Sequence, residues 1–240
     1  MKIDTYFTVE EVDPPALATS IVVVIDVVRA TTTMTEALAQ GAGSIYPTGS
    51  TEEAVKLASS LGREDTLLCG ERKGAKVEGF DLGNSPGEYT KDAVSGKRLV
   101  MSTTNGTRAL VAGAEGERVL ACAFTNLGAV TDMLSDATSL AILCAGREDQ
   151  FSLEDALCAG HLIERIVASR SETPELNDAS RASRALAGSL QPSRAFLSET
   201  TAGRALVEIG LGDDLDLCAE VDRHAIVPEM QDKAITLPRS

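Results

Sequence analysis

Hydroxyl and guanidinium groups are concentrated where predicted β-strands end. Asp26 lies at the end of the first apolar run, residues 21–27, and Arg29, Thr31 and Thr32 follow it. Ligands of open parallel sheets bind beyond the carboxyl ends of the strands, so these positions are the first candidates for a site. An Arg beside hydroxyls and free helix-start N–H groups favours an oxyanion. The pattern predicts a pocket for a small anionic ligand, although threonines at a helix start are also good caps.

Donor groups are densest in the turn that follows the apolar run at residues 97–102. This turn contains Thr103, Thr104, Asn105, Gly106, Thr107 and Arg108. Arg147 follows another apolar run in the same way. Asn84 and Ser85 end a long loop that is rich in turn residues, which we interpret as a candidate lid. The alternative interpretation of the dense turn is an Asn-Gly turn with helix caps.

Carboxylates near these turns indicate that the anion is handled with a metal ion. Asp26 interrupts an apolar strand, where an unpaired carboxylate is costly, so its expected partner is a metal, Arg29 or a reacting group. Magnesium is held by oxygen ligands and would supply positive charge for a phosphate. The candidate acids are Asp26, Glu71, Asp81, Glu154 and Asp155. For Glu154 and Asp155 the alternative is stabilisation of a helix dipole, because both fall in the first turn of a predicted helix.

Composition excludes several classes of partner. The chain has 240 residues and 22 basic against 36 acidic side chains, which gives a formal net charge of −14. Aromatic residues make up 3% and Trp is absent, so we expect no nucleic-acid binding. Residues 21–28, the most apolar early stretch, are far shorter than the roughly 20 residues that cross a bilayer. Residues 1–8 lack the apolar core of a signal peptide, and the five cysteines lack a C-x-x-C pair, so we expect a cytoplasmic protein with reduced thiols.

Several common catalytic motifs are absent from the sequence. Neither the phosphate-binding G-x-x-x-x-G-K-[ST] loop nor the dinucleotide-binding G-x-G-x-x-G turn occurs. Cys144 lies three positions before Arg147, which is too close for the loop of cysteine phosphatases. Val28 stands where haloacid dehalogenase-type enzymes need a second Asp after Asp26. The two histidines lie in contexts typical of structural residues, so a Ser-His-Asp triad is poorly supported.

The elements that must position these residues alternate short β-branched runs with amphipathic stretches. The predicted strands are residues 21–27, 44–48, 66–70, 97–102, 118–124 and 139–144. The predicted helices are residues 50–61, 126–137, 152–169 and 192–210. This alternation is typical of an α/β domain whose largely parallel or mixed sheet is covered by helices. We expect one domain over residues 1–240, sheet-rich at 1–150 and mainly helical at 151–223. Short edge strands are predicted at 224–227 and 234–237.

A set of longer motifs extends over nearly the whole chain. It comprises residues 26–32, 70–72, 79–86, 103–110, 144–147, 151–155 and 214–228. In order and spacing these motifs resemble those of the 2-phosphosulfolactate phosphatases, the ComB family, and the resemblance is weakest at residues 171–203. It implies a three-layer α/β/α fold and a magnesium-dependent phosphomonoesterase. The implied reaction is hydrolysis of (R)-2-phospho-3-sulfolactate to 3-sulfolactate and phosphate, a step best known from coenzyme M synthesis.

The resemblance and the residue pattern together suggest roles for individual side chains. Asp26 and Arg29 are the expected catalytic residues, and Asp26 is a nucleophile, a base or a metal ligand. The expected magnesium ligands are Asp26, Glu71 and Glu154. The expected substrate-binding residues are Thr31, Thr32, Asn84, Ser85, Thr103, Thr104, Asn105, Gly106, Thr107, Arg108 and Arg147. Two alternatives stay open: a phosphatase of another phosphorylated 2-hydroxy acid, and a non-catalytic protein that binds an anionic metabolite. The resemblance also suggests a homodimer.

Overall fold

Short runs of aliphatic and β-branched residues form an eleven-stranded sheet in the computed structural model, which describes residues 1–238. The strands are β1 (Lys2–Tyr6), β2 (Ile21–Ile25), β3 (Ser44–Pro47), β4 (Thr66–Arg72), β5 (Ala75–Lys76), β6 (Arg98–Ser102), β7 (Arg118–Cys122), β8 (Ser139–Cys144), β9 (Glu175–Leu176), β10 (Glu229–Gln231) and β11 (Ala234–Thr236). Their order across the sheet is β5-β4-β6-β3-β11-β10-β7-β2-β8-β1-β9. Residues 239 and 240, the end of the expected domain, lie outside the described residues.

Helices connect most of the strands and make up most of the C-terminal third. They are α1 (Pro14–Leu17), α2 (Ala30–Ala39), α3 (Thr51–Leu61), α4 (Lys91–Val94), α5 (Gly106–Ala112), α6 (Leu127–Met133), α7 (Leu153–Ala168), α8 (Asp178–Ala187), α9 (Arg194–Glu199), α10 (Thr201–Glu208) and α11 (Asp214–Cys218). The capping signals in the sequence operate as expected: the Ser50 hydroxyl accepts the N–H of Glu53, and the Ser152 hydroxyl accepts that of Asp155. Among residues 1–238, no helix is long and apolar enough to span a bilayer.

Two groups of parallel strands are joined by an antiparallel hairpin. In one group β6 pairs in parallel with β3 and β4. In the other group β2 pairs in parallel with β7 and β8. The hairpin of β10 and β11 lies between the groups, with β10 antiparallel to β7 and β11 antiparallel to β3. The predicted α/β fold with a mixed sheet is therefore confirmed.

The position of this hairpin corrects the expectation of edge strands near the C terminus. Residues 224–227 are not a strand, and β10 begins at Glu229 instead. On β11, Ile235 is fully buried and lies opposite Ile45 of β3. The hairpin therefore fills the gap between the two parallel groups, and its apolar residues are core residues of the sheet.

Both faces of the sheet are covered by helices, as successive residues of β2 show. Val23 and Ile25 pack in one hydrophobic core with residues of α7. Val22 and Val24 point to the other face and pack in a second core with residues of α2 and α5. A strand buried on both faces needs aliphatic residues at every position, which explains the unbroken apolar run. The result is a helix–sheet–helix arrangement in which loops at the strand ends are free to form a site.

The predicted helix at residues 192–210 is two helices with a break at Thr200. The Thr200 hydroxyl accepts the N–H of Gly203 and caps α10. A Cβ atom on Gly203 would lie 1.8 Å from the Leu197 carbonyl oxygen, so the glycine permits the close approach of α9 and α10. This bend places the beginning of α10 near the carboxyl ends of the strands.

Candidate active site

The loops after β2, β4, β6 and β8 meet at one pocket of about 550 Å³ that is partly open to solvent. The first part of its wall is polar and contains seven of the residues singled out from the sequence: Asp26, Arg29, Glu71, Asn84, Thr104, Asn105 and Arg147. The facing wall is formed by apolar residues of α10, among them Leu206, and by Ile209 just after it. The structure thus brings together side chains that are as much as 121 positions apart in the sequence.

Asp26 lies between the first residues of α2 and α5, which approach each other closely. The N–H of Ala30 donates a hydrogen bond of 3.2 Å to its Oδ1 atom. A Cβ atom on Gly106 would lie 2.5 Å from Asp26 Oδ2 and 2.4 Å from the Ala30 Cβ atom. Only a glycine therefore lets the first residue of α5 approach this carboxylate. The Thr31 hydroxyl donates to the Asp26 carbonyl oxygen at 2.8 Å and fixes the backbone of the turn.

The environment of Asp26 opposes its negative charge. Burial raises the pKa of Asp26 to about 7, and the nearby carboxylates of Glu71 and Glu154 add to this increase. The N–H of Ala30 and the Arg29 guanidinium act in the opposite direction and favour the ionised form. A carboxylate that is half protonated near neutral pH fits proton transfer, or a site that gains positive charge from a bound ion.

Arg29 is held by three partners at the edge of the pocket. Its Nη1 atom donates to Asp214 Oδ2 at 2.6 Å and to the Ser85 hydroxyl at 3.0 Å. Its Nη2 atom donates to the Gly74 carbonyl oxygen at 2.6 Å. The sequence analysis singled out Ser85 as a substrate-binding residue, but did not assign a role to Asp214. Asp214 begins the motif at residues 214–228, but nothing in the sequence shows that it pairs with Arg29, which lies 185 positions away.

Glu71 lies at the end of β4 with both carboxylate oxygens hydrogen-bonded to backbone. Oε1 accepts the N–H of Thr104 at 2.7 Å, and Oε2 accepts the N–H of Gly74 at 2.7 Å. Each oxygen keeps further lone pairs for a ligand. The neighbouring Arg72 donates to the Ser102 hydroxyl at 2.8 Å and ties the end of β4 to β6. Glu71 is therefore a rigidly placed carboxylate in the wall of the pocket.

Two polar atoms of the pocket wall have no partner within residues 1–238. They are Asn84 Oδ1 and Thr104 Oγ1, and both atoms are buried. Buried polar atoms in folded proteins nearly always have a hydrogen-bond partner. We therefore infer that a bound group satisfies these atoms when the pocket is filled.

Lys73 and Arg147 contribute positive charge to the pocket and form no ion pair within residues 1–238. Arg147 is half-buried after β8, and Lys73 is exposed in the turn between β4 and β5. The sequence analysis singled out Arg147 but not Lys73, whose position in the turn carries no distinctive local signal. These two cations remain available for an anionic ligand.

Arg108 does not line this pocket, and its role in substrate binding stays a prediction. It is the third residue of α5 and faces solvent. Its Nη1 atom lies 3.0 Å from Asp149 Oδ1 and its Nη2 atom 3.5 Å from Glu10 Oε1, with 40% of its side chain exposed. Exposed ion pairs of this kind stabilise a protein by at most about 1 kcal/mol.

The remaining predicted ligand-binding residues support the backbone of the site. The Thr103 hydroxyl accepts the N–H of Thr107 at 3.0 Å, and the Thr107 hydroxyl donates to the Thr103 carbonyl oxygen at 3.0 Å. The Thr32 hydroxyl donates to the Val27 carbonyl oxygen at 2.8 Å. Like Thr31, these side chains are buried, and the structure does not place them in the pocket wall. Their hydroxyls act as helix caps and turn supports, which is the alternative that the sequence analysis kept open.

Glu154 and Asp155 begin α7 beside the pocket. Glu154 lines an adjoining cavity of about 460 Å³ whose wall also includes Arg147. Asp155 accepts the N–H of Val27 at 2.9 Å and so holds the loop after β2. Burial raises the pKa of Glu154, and raises the pKa of Asp155 well above its usual range, where the negative charge of Asp26 adds to the effect. The structure thus places Glu154 next to the pocket of Asp26 but in a different cavity.

The oxygen donors of the pocket suit a magnesium ion that shares its coordination with water and substrate. Residues 1–238 contain no group of three His, Cys, Asp or Glu side chains that could enclose a metal ion. Magnesium commonly binds through one or two carboxylates and completes its coordination with water and substrate phosphate. Asp26 and Glu71, with the unpartnered Asn84 Oδ1, fit that mode of binding. Glu154, the third predicted ligand, is not part of this set.

Comparisons with known proteins identify the family of this chain. The sequence model of the 2-phosphosulpholactate phosphatase family matches residues 6–233. A protein of Caldanaerobacter subterraneus subsp. tengcongensis, described as a probable 2-phosphosulfolactate phosphatase, is 38% identical over 237 residues, which cover 96% of both chains. Proteins with the same description from Symbiobacterium thermophilum and Thermotoga petrophila are 40% and 37% identical. They cover 93% and 87% of this chain and 97% and 88% of their own. The chain belongs to the 2-phosphosulfolactate phosphatase family.

Proposed function

We propose that the protein is a phosphatase that hydrolyses 2-phospho-3-sulfolactate to 3-sulfolactate and phosphate. The observation that carries the proposal is a small polar pocket in which Asp26, with its pKa raised to about 7, lies beside Arg29, Arg147 and Lys73. The printed descriptions of the relatives support the choice of substrate. Lys73 and Arg147, which form no ion pair within residues 1–238, suit a ligand that carries a phosphate, a sulfonate and a carboxylate.

The charge of the pocket supports a requirement for a divalent cation. Its ionisable wall contains three acids and three bases, namely Asp26, Glu71, Glu148, Arg29, Lys73 and Arg147. When Asp26 is ionised these charges cancel, and the charge of Arg29 is already paired with Asp214, so the side chains alone offer a multiply charged anion little net attraction. We infer that Asp26 and Glu71, with Asn84, hold Mg²⁺ together with the substrate. When bound, Mg²⁺ neutralises phosphoryl oxygens and stabilises the developing alkoxide.

The side chains of the pocket have separate tasks in this proposal. Arg29 and Arg147 bind phosphoryl oxygens and orient the ester for in-line attack. Ionised Asp26 either attacks phosphorus or accepts a proton from the attacking water. If Asp26 accepts the proton, water forms the new P–OH bond as the P–O bond to the oxygen on carbon 2 of sulfolactate breaks, and the proton taken from water reaches the leaving alkoxide. If Asp26 attacks, the same P–O bond breaks as the bond from Asp26 to phosphorus forms, and the alkoxide takes a proton from solvent. Water then cleaves the bond from Asp26 to phosphorus, which releases phosphate and restores the carboxylate. The apolar wall of α10 restricts access of bulk water to the reacting groups.

The test of this proposal is phosphate release from 2-phospho-3-sulfolactate, phospholactate and 2-phosphoglycerate, each with magnesium and with EDTA. We expect magnesium-dependent turnover that is fastest on the sulfonated ester. Asp26→Asn keeps the shape of the side chain but removes its charge, and we expect it to lower kcat by about 1,000-fold or more.

Two controls make the result decisive. Asp132→Asn changes an exposed acid outside the pocket and is expected to leave kcat unchanged. A folded Asp26→Asn variant with full activity would remove Asp26 from the mechanism. Faster turnover of phospholactate than of the sulfonated ester would redirect the assignment to another phosphorylated 2-hydroxy acid, and binding without turnover would favour an anion-binding protein.

A further inference from the structure

The contacts of Arg29 leave part of its guanidinium free. Arg29 is 3% exposed, and its bonds to Asp214, Ser85 and Gly74 use both Nη1 hydrogens and one Nη2 hydrogen. The Nε hydrogen and the second Nη2 hydrogen have no partner within residues 1–238, and the side chain lines the pocket. Two N–H groups of one planar guanidinium are a suitable donor set for oxygens of a phosphate.

The ion pair of Arg29 is formed with an acid that does not line the pocket. A buried guanidinium needs a compensating carboxylate, since an unpaired buried charge is costly. Asp26 and Glu71 lie in the same pocket wall as Arg29, yet its salt bridge is with Asp214. This pairing draws the guanidinium away from the two pocket carboxylates. The carboxylates and the free N–H groups therefore stay available to a ligand at the same time.

Ser85 bonds to both members of the ion pair between Arg29 and Asp214. The Ser85 hydroxyl donates to Asp214 Oδ2 at 2.8 Å and accepts from Arg29 Nη1 at 3.0 Å. The three side chains come from the start of α2, the loop before residue 86 and the start of α11, and each contacts the other two. Such a closed set restricts the guanidinium more than a single ion pair would.

We propose that Asp214 is a positioning residue that, with Ser85, orients the Arg29 guanidinium toward the phosphate of the substrate. The proposal rests on the proposed function, because it assigns Arg29 to the phosphate of that reaction. It assigns a role at the site to α11, which belongs to the C-terminal helical region. Asp214 does not touch the substrate and acts through Arg29.

The experiment compares Asp214→Asn with a matched control on the same helix. Asp216→Asn makes the same chemical change two positions further along, where the carboxylate pairs with Arg194 at the surface. Steady-state kinetics are measured with 2-phospho-3-sulfolactate, and binding of inorganic phosphate is measured by calorimetry. We expect Asp214→Asn to lower kcat/KM roughly 100-fold, as misplacement of a binding group does, and to weaken phosphate binding. Asp216→Asn is expected to match the wild type.

A double-mutant cycle separates positioning from a general loss of structure. In an Arg29→Lys background, Asp214→Asn is expected to cause little further loss, because the group it positions is already gone. An equal loss in both backgrounds, or wild-type kinetics and phosphate binding for Asp214→Asn, would overturn the proposal. If Asp214→Asn does not fold, Ser85→Ala takes its place. We expect that variant to lower kcat/KM roughly 10-fold, the effect of one hydrogen bond to a charged group, and an unchanged value would overturn the proposal.

The two readouts distinguish this proposal from the proposed function. If the wild type binds phosphate but releases none from the sulfonated ester, the assigned reaction fails, and the phosphate-binding comparison still decides the role of Asp214. If the wild type neither binds phosphate nor turns over the ester, both proposals fail.

Discussion

Asp26 directly follows β2, a strand whose residues are aliphatic and mostly fully buried. A sequence selected for stability alone would not place a carboxylate there, since the cost of burying its charge is only partly offset by the N–H of Ala30. The pKa of Asp26, raised to about 7, measures this cost. The neighbouring carboxylates of Glu71 and Glu154 increase the cost, and the proposed binding of a cation and a phosphate would offset it.

The first prediction concerns the stability of the metal-free protein. The pKa of Asp26 is about 7 in the folded protein, whereas an Asp side chain in an unfolded chain has a pKa of 3.8. The folded state therefore binds the proton of Asp26 more tightly than the unfolded state does. The associated stability is fully present below about pH 4 and is lost as pH rises to about 7. Asp26→Asn removes this loss. In EDTA we expect the variant to be more stable than the wild type at pH 8, by at most about 4 kcal/mol, and equally stable near pH 4.

Urea unfolding at pH 4, 6 and 8 measures this difference. Asp132→Asn, which replaces an exposed acid and keeps Asp26, provides the baseline and is expected to be as stable as the wild type at each of the three pH values. A variant Asp26→Asn that is less stable than the wild type at pH 8 would contradict the burial argument, because it would mean that the charge of Asp26 stabilises the folded protein.

Some site residues could be predicted from local sequence and others could not. Asp26, Arg29 and Arg147 were found because each follows a buried apolar run, where a charged side chain needs an explanation. Asp214 was not found, because its partner is brought to it only by the packing of α11. Arg108 does not line the pocket, since a motif shows which residues are near one another but not which side of a short helix faces the pocket.

At the scale of elements, the start of α5 brings a helix unusually close to β2. Gly106 makes this possible, since its missing Cβ leaves room for both Ala30 and Asp26. Thr103 and Thr107 cap the same turn through their hydroxyls. Within the dense polar motif at residues 103–108, these two threonines thus fix the backbone beside Asp26, while Thr104 and Asn105 line the pocket.

Gly106→Ala tests this close approach. The added Cβ atom would lie 2.4 Å from the Ala30 Cβ atom, so α5 has to shift away from Asp26. We expect a loss of about 1–3 kcal/mol in the free energy of unfolding and a marked fall in kcat. Gly87→Ala is the matched control, because its Cβ atom would meet nothing within 4 Å. Wild-type kcat in a folded Gly106→Ala variant would show that the approach is not needed for activity.

The strands differ in how well their sequences predicted them. The six strands that were predicted, namely β2, β3, β4, β6, β7 and β8, are short and largely apolar runs. β1 was not predicted, because its buried Ile3 and Thr5 alternate with polar residues in a run of only five. β5 and β9 contain two residues each, too few for any periodic pattern. The lesson is physical: burial on both faces leaves a local pattern, whereas pairing at a sheet edge does not.

At the scale of the whole molecule, the hairpin of β10 and β11 joins the two parallel groups that supply the site. The loops after β2 and β8 belong to one group and those after β4 and β6 to the other. Glu229 on β10 accepts from Arg118 of β7 through both carboxylate oxygens, at 2.8 and 2.7 Å. On β11, Ile235 is fully buried against β3. The C-terminal hairpin therefore links the two halves of the pocket through the sheet, although its residues contribute no side chain to the pocket wall.

Ile235→Ala tests the contribution of this hairpin to global stability. Removing a fully buried Ile side chain leaves a cavity between the parallel groups, and we expect the free energy of unfolding to fall by about 2–5 kcal/mol. Because the change is in the core and away from the pocket, we expect kcat of the folded variant to stay at the wild-type value. Urea unfolding and kinetics at low temperature measure both quantities.

Leu237→Ala, which shortens an apolar side chain that is 36% exposed, is the control and is expected to lower the free energy of unfolding by less. A stable Ile235→Ala variant would mean that the two parallel groups hold together without the hairpin, while a stability loss accompanied by a lower kcat would mean that the hairpin also sets the distance between the catalytic loops.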